Sequence, residues 1–250
     1  MTTGPTDHAV CAEVAQDTGR LLVALRAART DLEGRDLKDA GDAAAHEHIV
    51  GLLGRLRPGD AVLSEEGADD SRRLSASRVW IVDPLDGTRE FSERPRDDWA
   101  VHVALWQDGA LVAGAVALPA RDALHRMDRP VPLPPRPDGP VRLAVSRSRP
   151  PRFVLALAER LGATLVPMGS AGVKATAVLD GTADAYVHAG GQYEWDSAAP
   201  VAVALGHGLA PTRVDGSPLR YNRPDPWLPD LVVARPEVLP PLRAALDELG

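Results

Sequence analysis

Apolar residues at Val10, Val14, Leu21, Leu22 and Leu25 recur near helical spacing, so about Asp7 to Arg29 reads as an amphipathic helix. A second helical pattern carries Ala45, Ile49, Leu52, Leu53 and Leu56, and Pro58-Gly59 closes it. Two short strands follow, Ala61-Val62-Leu63 running into Ser64-Glu65-Glu66, and Val79-Trp80-Ile81-Val82 running into Asp83-Pro84. Ala100 to Trp106 and Ala110 to Leu118 form a hairpin across Asp108-Gly109, a strong turn signal. Pro130 to Pro140 then holds prolines at 130, 132, 134, 135, 137 and 140, a density that excludes a helix or central strand. Beyond it, strands and helices alternate. Val141 to Val145 precedes a helix over Arg152 to Leu161, and Thr164 to Val166 precedes one over Ala171 to Leu179. Ala185 to Val187 precedes a helix from Asp196 to about Leu205, and Leu231 to Val233 precedes one beginning near Pro236. That alternation is an α/β pattern.

Composition narrows the function classes. The 250 residues are 44 % hydrophobic and 25 % charged, long enough to bury a real core. The longest apolar runs are broken by Gly, Pro or charge, so no transmembrane helix fits. Met1 to Val10 lacks the basic start and apolar stretch of a signal peptide, so the cytoplasm is the expected compartment. One cysteine, Cys11, excludes an internal disulfide framework and a multi-cysteine zinc site. A net charge of −7 disfavours non-specific nucleic-acid binding. A small polyanionic substrate stays open, provided cations reverse the field locally.

The chemistry concentrates in carboxylates. Asp83-Pro84-Leu85-Asp86-Gly87-Thr88 leaves an apolar strand at its carboxyl end, where open α/β sheets place their sites. Pro84 fixes one φ, so Asp83 and Asp86 can converge around the bend, and Gly87 permits a close backbone approach. Thr88 and the following amides can open a helix whose N–H groups bind an anion. Glu65 and Glu66 end another strand, and Asp196 heads another helix. Alone, these three features read as a capped turn, a solvated face and an N-cap. Together they gather acids that would repel one another without cations. Hard oxygen ligands in that number suit Mg²⁺, and two such ions can clamp the attacking and leaving oxygens of a phosphoryl transfer.

Glu65-Glu66, Trp80 through Thr88, and Trp195-Asp196-Ser197-Ala198-Ala199 resemble the three signatures of the inositol monophosphatase superfamily of Mg²⁺-dependent, lithium-sensitive phosphatases. The resemblance covers about Asp7 to Leu249. It implies an α/β fold of alternating α-β-α-β-α layers, sugar-phosphatase-like, with an N-terminal α+β half built on an antiparallel sheet and a C-terminal α/β half. The corresponding division is a lobe over residues 1–129, a Pro-rich loop or linker over 130–140, and a second lobe over 141–250. Carried over, Glu65, Asp83, the carbonyl of Leu85, Asp86 and Asp196 fall on the family's ligands for two or three Mg²⁺ ions. Thr88 falls on the threonine that helps activate the attacking water, and Asp42 on the aspartate that partners it. The family segment around Asp42 is shortened here, and Asp42 reads equally well as the N-cap of the second helix.

Arg89-Glu90-Phe91 after Gly87-Thr88, and Val145-Ser146-Arg147-Ser148, resemble the 3′(2′),5′-bisphosphate nucleotidases of CysQ type. The block Ala183 to Asp196 is similar to actinobacterial members. Gly169-Ser170-Ala171-Gly172-Val173-Lys174 resembles that branch's substrate loop. The resemblance implies hydrolysis of the 3′-phosphate of adenosine 3′,5′-bisphosphate to AMP, which clears a product of sulfate assimilation. Inositol-1-phosphatase or fructose-1,6-bisphosphatase activity is the first alternative, and a non-catalytic metal- or nucleotide-binding module a distant one. Gly87 and Thr88 would hold the attacked phosphate. Arg147, Lys174 and His188 would reach a second phosphate, although His188 reads equally as a structural histidine. Tyr193 can stack on a base or simply pack, and Arg72, Arg73 and Arg78 read as a solvated patch. The expected partner is a small phosphate ester, with no nucleic acid or membrane. The family includes monomers and dimers, so a homodimer is left open.

Overall fold

The computed structural model describes residues 4–249. Helices α1 (Asp7–Ala28) and α2 (Gly34–Leu56) lead into a five-stranded sheet of β1 (Ala61–Ser64), β2 (Arg78–Asp86), β3 (Ala100–Gln107), β4 (Ala110–Leu118) and β5 (Ala123–Arg126), with the short α3 (Thr88–Ser92) after β2. The second half carries β6 (Arg142–Ser146), α4 (Arg152–Leu161), β7 (Thr164–Met168), α5 (Ala171–Leu179), β8 (Ala185–Tyr193), α6 (Glu194–Gly206), β9 (Trp227–Ala234) and α7 (Leu239–Asp247). Its sheet runs β7-β6-β8-β9.

Three buried clusters define five layers. Val10, Leu22, Ile49 and Leu53 of α1 and α2 pack on one face of the first sheet with Trp80 and Val103. The other face meets α5 and α6 through Ile81, Ala104, Val178 and Ala202, and the second sheet joins the same cluster through Ala144, Tyr186 and Val233. The outer face of that sheet is covered by α4 and α7 through Val154, Leu157 and Leu242. Alternating α-β-α-β-α layers result. Close approach in the middle layer needs small residues: a Cβ on Gly114 of β4 would lie 2.5 Å from that of Ala202 on α6.

Helices α4 and α5 have the bounds read from the sequence. Asp108 and Gly109 both adopt positive φ, as the hairpin turn requires. Residues 130–140 hold no helix or strand and join β5 to β6. Three expectations change. The first sheet is not wholly antiparallel, because β1 pairs with β2 in parallel. Helix α2 begins at Gly34, so Asp42 lies inside it and is not its N-cap. A fifth strand, β5, pairs with β4.

Candidate active site

The stretch read as a bend after β2 is a bulge within it. Asp83 pairs with His102 of β3, and Asp86 with Ala100, so one extra residue on β2 is accommodated at Pro84-Leu85. The Leu85 N–H donates to Asp83 Oδ1 at 3.1 Å, an Asx turn that fixes the first carboxylate. Leu85 itself is buried against α2, where a Cβ on Gly41 would lie 2.9 Å from it and 2.7 Å from Phe91. That close packing sets α2 against this segment at Gly41, the residue before Asp42. Gly87 then adopts φ 87° and opens α3, with Thr88 as its first residue.

Glu65, Asp83, Asp86 and Asp196 come together, from the end of β1, the bulge of β2 and the first turn of α6. Burial and the neighbouring Glu65, Asp86 and Asp196 push the Asp83 carboxyl well above its ordinary range. Burial and Asp196 push Glu65 up to about 7, and burial and Asp86 push Asp196 up to about 6. Glu65 keeps an exposed surface, yet protein atoms crowd it enough for burial to be the largest influence. Asp86 is the exception. Burial raises it, but His102 and Lys174 outweigh that and hold it at about 2. Asp42 is pushed up to about 7 by burial and by Glu66 and Asp39.

Such crowding fits a cation site. Acids that raise one another are relieved when a divalent ion neutralises them. Asp83, Asp86 and the His102 ring converge there, with atoms all within 4.8 Å of one another. Sequence reasoning passed over His102. Its signal is a lone polar residue in the apolar run Ala100 to Trp106, and the ring is completely buried.

A cavity of about 550 Å³ opens beside Asp86 and Asp196, walled by Ser170, Lys174, Tyr186 and His188. Lys174 Nζ donates to the carbonyls of Gly169 and Ser170 at 3.2 and 2.6 Å, and burial lowers its pKa. His188 Nε2 donates to the Gly191 carbonyl at 2.8 Å, and burial favours its neutral form. Tyr193, half exposed at the rim, stacks on Trp195 with ring centroids 4.7 Å apart.

The loop before α5, read as a substrate loop, is largely engaged by protein. Gly169 N–H donates to Asp98 at 2.7 Å, Gly172 N–H donates to Asp86 at 2.8 Å, and Ser170 Oγ donates to Asp86 while accepting from Val173 N–H. Arg147 is placed differently from the phosphate contact read in the sequence. Its guanidinium pairs with Glu90 at 2.8 Å and Glu93 at 2.7 Å, across to α3, and does not wall the cavity. Arg149, two residues on, does wall it. Its side chain has no ion pair among the described residues. The patch of Arg72, Arg73 and Arg78 is only partly solvated, because Arg73 is buried on Asp69 and Asn222. No hydrogen bond joins Asp42 to Thr88 among the described residues, and no helix among them is long and apolar enough to cross a membrane.

The inositol monophosphatase family model matches residues 9–246. The chain is 48 % identical over 256 residues to the 3′-phosphoadenosine 5′-phosphate phosphatase of Mycobacterium leprae, covering 98 % of this chain and 94 % of that one. It is 30 % identical to the 3′(2′),5′-bisphosphate nucleotidase CysQ of Escherichia coli over 76 % of this chain and 81 % of that one. Among solved structures, CysQ of Bacteroides thetaiotaomicron superposes with TM-score 0.78 at 27 % identity, covering 90 % of this chain and 95 % of that one. By that family model and by these relatives, the chain belongs to the inositol monophosphatase family.

Proposed function

We propose that this protein is a Mg²⁺-dependent phosphoric monoester hydrolase that removes the 3′-phosphate of adenosine 3′,5′-bisphosphate, giving AMP and phosphate. The carrying observation is the convergence of Glu65, Asp83, Asp86 and Asp196 beside a cavity with Lys174 in its wall. The names of the mycobacterial and enterobacterial relatives support the substrate.

Glu65, Asp83, the Leu85 carbonyl, Asp86 and Asp196 would hold two or three Mg²⁺ ions. Magnesium supplies there the positive charge that offsets charge developing in phosphoryl transfer. Thr88, half-buried at the start of α3, and Glu65 orient a water for in-line attack at phosphorus, and Asp42 supports Thr88 from α2. The first turn of α3, opened by Gly87, presents N–H groups to the attacked phosphate. Ser170 and Lys174 wall the substrate cavity, and Arg149 faces the second phosphate in place of Arg147. Residues 1–129 and 141–250 act as two lobes joined by the 130–140 loop, with the site on their seam.

The test is phosphate release from adenosine 3′,5′-bisphosphate, inositol 1-phosphate and fructose 1,6-bisphosphate, side by side with Mg²⁺ and with chelator. The bisphosphate nucleotide should have the highest kcat/KM, and chelator should abolish turnover. A preference for inositol 1-phosphate would overturn the substrate assignment.

A further inference from the structure

Every close contact made to Asp86 falls on the same oxygen. Ser170 Oγ lies 2.5 Å from Oδ2, Gly172 N 2.8 Å and His102 Nε2 3.1 Å. Oδ1 has no such partner among the described residues. The two hydrogen-bond donors come from the start of α5 and the histidine contact from β3, so Oδ2 lies on the seam between the two sheets.

His102 is the least replaceable of the three. It is completely buried and stands opposite Asp83 in the β2–β3 register. Its Nδ1 is 3.2 Å from the carbonyl of Trp195, the residue before Asp196. Carbonyl and carboxylate oxygens only accept, so both contacts attract only when the ring carries a proton on each nitrogen. The Nε2 contact is electrostatic more than directional, for no well-aligned acceptor lies along that N–H. A Cβ on Gly172 would come within 2.2 Å of Nε2. The Gly172 backbone therefore closes that side of the ring and leaves no room for an ion at Nε2.

We infer that His102 is a positioning residue which holds Asp86 Oδ2 and the Trp195 carbonyl at a fixed spacing, so that Asp86 offers Oδ1 alone to a divalent cation beside Asp196. This rests on the metal reading proposed above. Residues that orient metal ligands from behind typically change metal affinity by about 10- to 100-fold when lost.

Two substitutions separate the ring's two contacts. His102→Gln places an amide near the Nε2 position, and His102→Asn places one near Nδ1. Mg²⁺ and Mn²⁺ affinities are measured by calorimetry on the full chain without substrate, alongside the Mg²⁺ concentration for half-maximal activity. H102N should bind either ion about 10- to 100-fold more weakly, with kcat largely restored at saturating Mg²⁺. H102Q should stay within about threefold of wild type, because it keeps the Asp86 contact. Wild-type affinity in folded H102N, or equal losses in both variants, would overturn the inference while the metal reading stands. Should H102N not fold, Ser170→Ala removes another Oδ2 donor and should weaken the same affinity, and an unchanged value would overturn the idea. A wild-type protein that titrates no divalent cation overturns the metal reading and this inference with it.

Discussion

The acidic floor of the site and its basic rim are fixed to very different degrees. On the floor, Asp86 is held by a side-chain and a backbone donor at the start of α5, and Asp83 by its own Asx turn. At the rim, Arg149 is exposed, and His188 has one hydrogen bond, to a carbonyl three residues away. Groups that stabilise developing charge act best when they need not reorganise during the reaction. Groups that recognise a substrate can settle around it after it arrives. On the proposed function, the floor is the part suited to chemistry and the rim the part suited to selection among phosphate esters.

The largest expected effect comes from the floor. Asp83→Asn should lower kcat/KM by about a thousandfold or more, since each ligand helps hold several kcal/mol of catalytic charge. Turnover near wild type in saturating Mg²⁺ would remove Asp83 from the metal site. The rim comes next. Arg149→Ala should reduce kcat/KM for adenosine 3′,5′-bisphosphate by about tenfold or more, the worth of a charge-assisted phosphate contact, and leave inositol 1-phosphate within about twofold. Equal losses on both substrates would erase the division between floor and rim.

Arg147→Ala sharpens the same division. Its ion pairs with Glu90 and Glu93 are partly solvated, so Tm should fall by no more than about 2–4 °C. Both substrates should respond alike. A last effect concerns pH. Glu65 and Asp196 have folded-state pKa values raised to about 7 and about 6, from 4.5 and 3.8. The metal-free folded protein therefore binds more protons than the unfolded chain between about pH 4 and 7, and its stability from these groups falls as pH rises through that window. Metal-free Tm should drop between pH 5 and pH 8 by a few degrees, with the exposed Glu65 contributing less than its shift implies, and saturating Mg²⁺ should flatten the slope. A slope unaffected by Mg²⁺ would separate the raised carboxyls from the cation site.

The parts legible in the sequence were those with local signals. Periodicity and Asp108-Gly109 were enough for α4, α5 and the β3–β4 hairpin, and spaced acids at the ends of apolar runs marked the floor. The start of α2 was not legible because Gly34 to Gly41 offers only Leu37 and Ala40 as apolar residues, and no stripe. Strand β5 is four residues long and half-buried throughout, too short for alternation to register. His102 depends on strand register, which places it opposite Asp83, across a loop that periodicity does not define. The difference between Arg147 and Arg149 depends on how the chain turns after β6, and a Ser-Arg-Ser-Arg sequence is the same on both sides of that turn.

The assembly of Oδ2 across the seam has a consequence for how the chain is made. Asp86 emerges from the ribosome well before Ser170 and Gly172, which lie 84 and 86 residues later. A nascent chain that has reached only the 130–140 segment holds Asp83 and Asp86 but lacks both the α5 donors and Asp196. Because domains tend to fold as they emerge, the first sheet can form with its acids unpartnered and self-repelling. On the proposed metal reading, tight binding of a divalent ion then waits for α5 and α6 to dock.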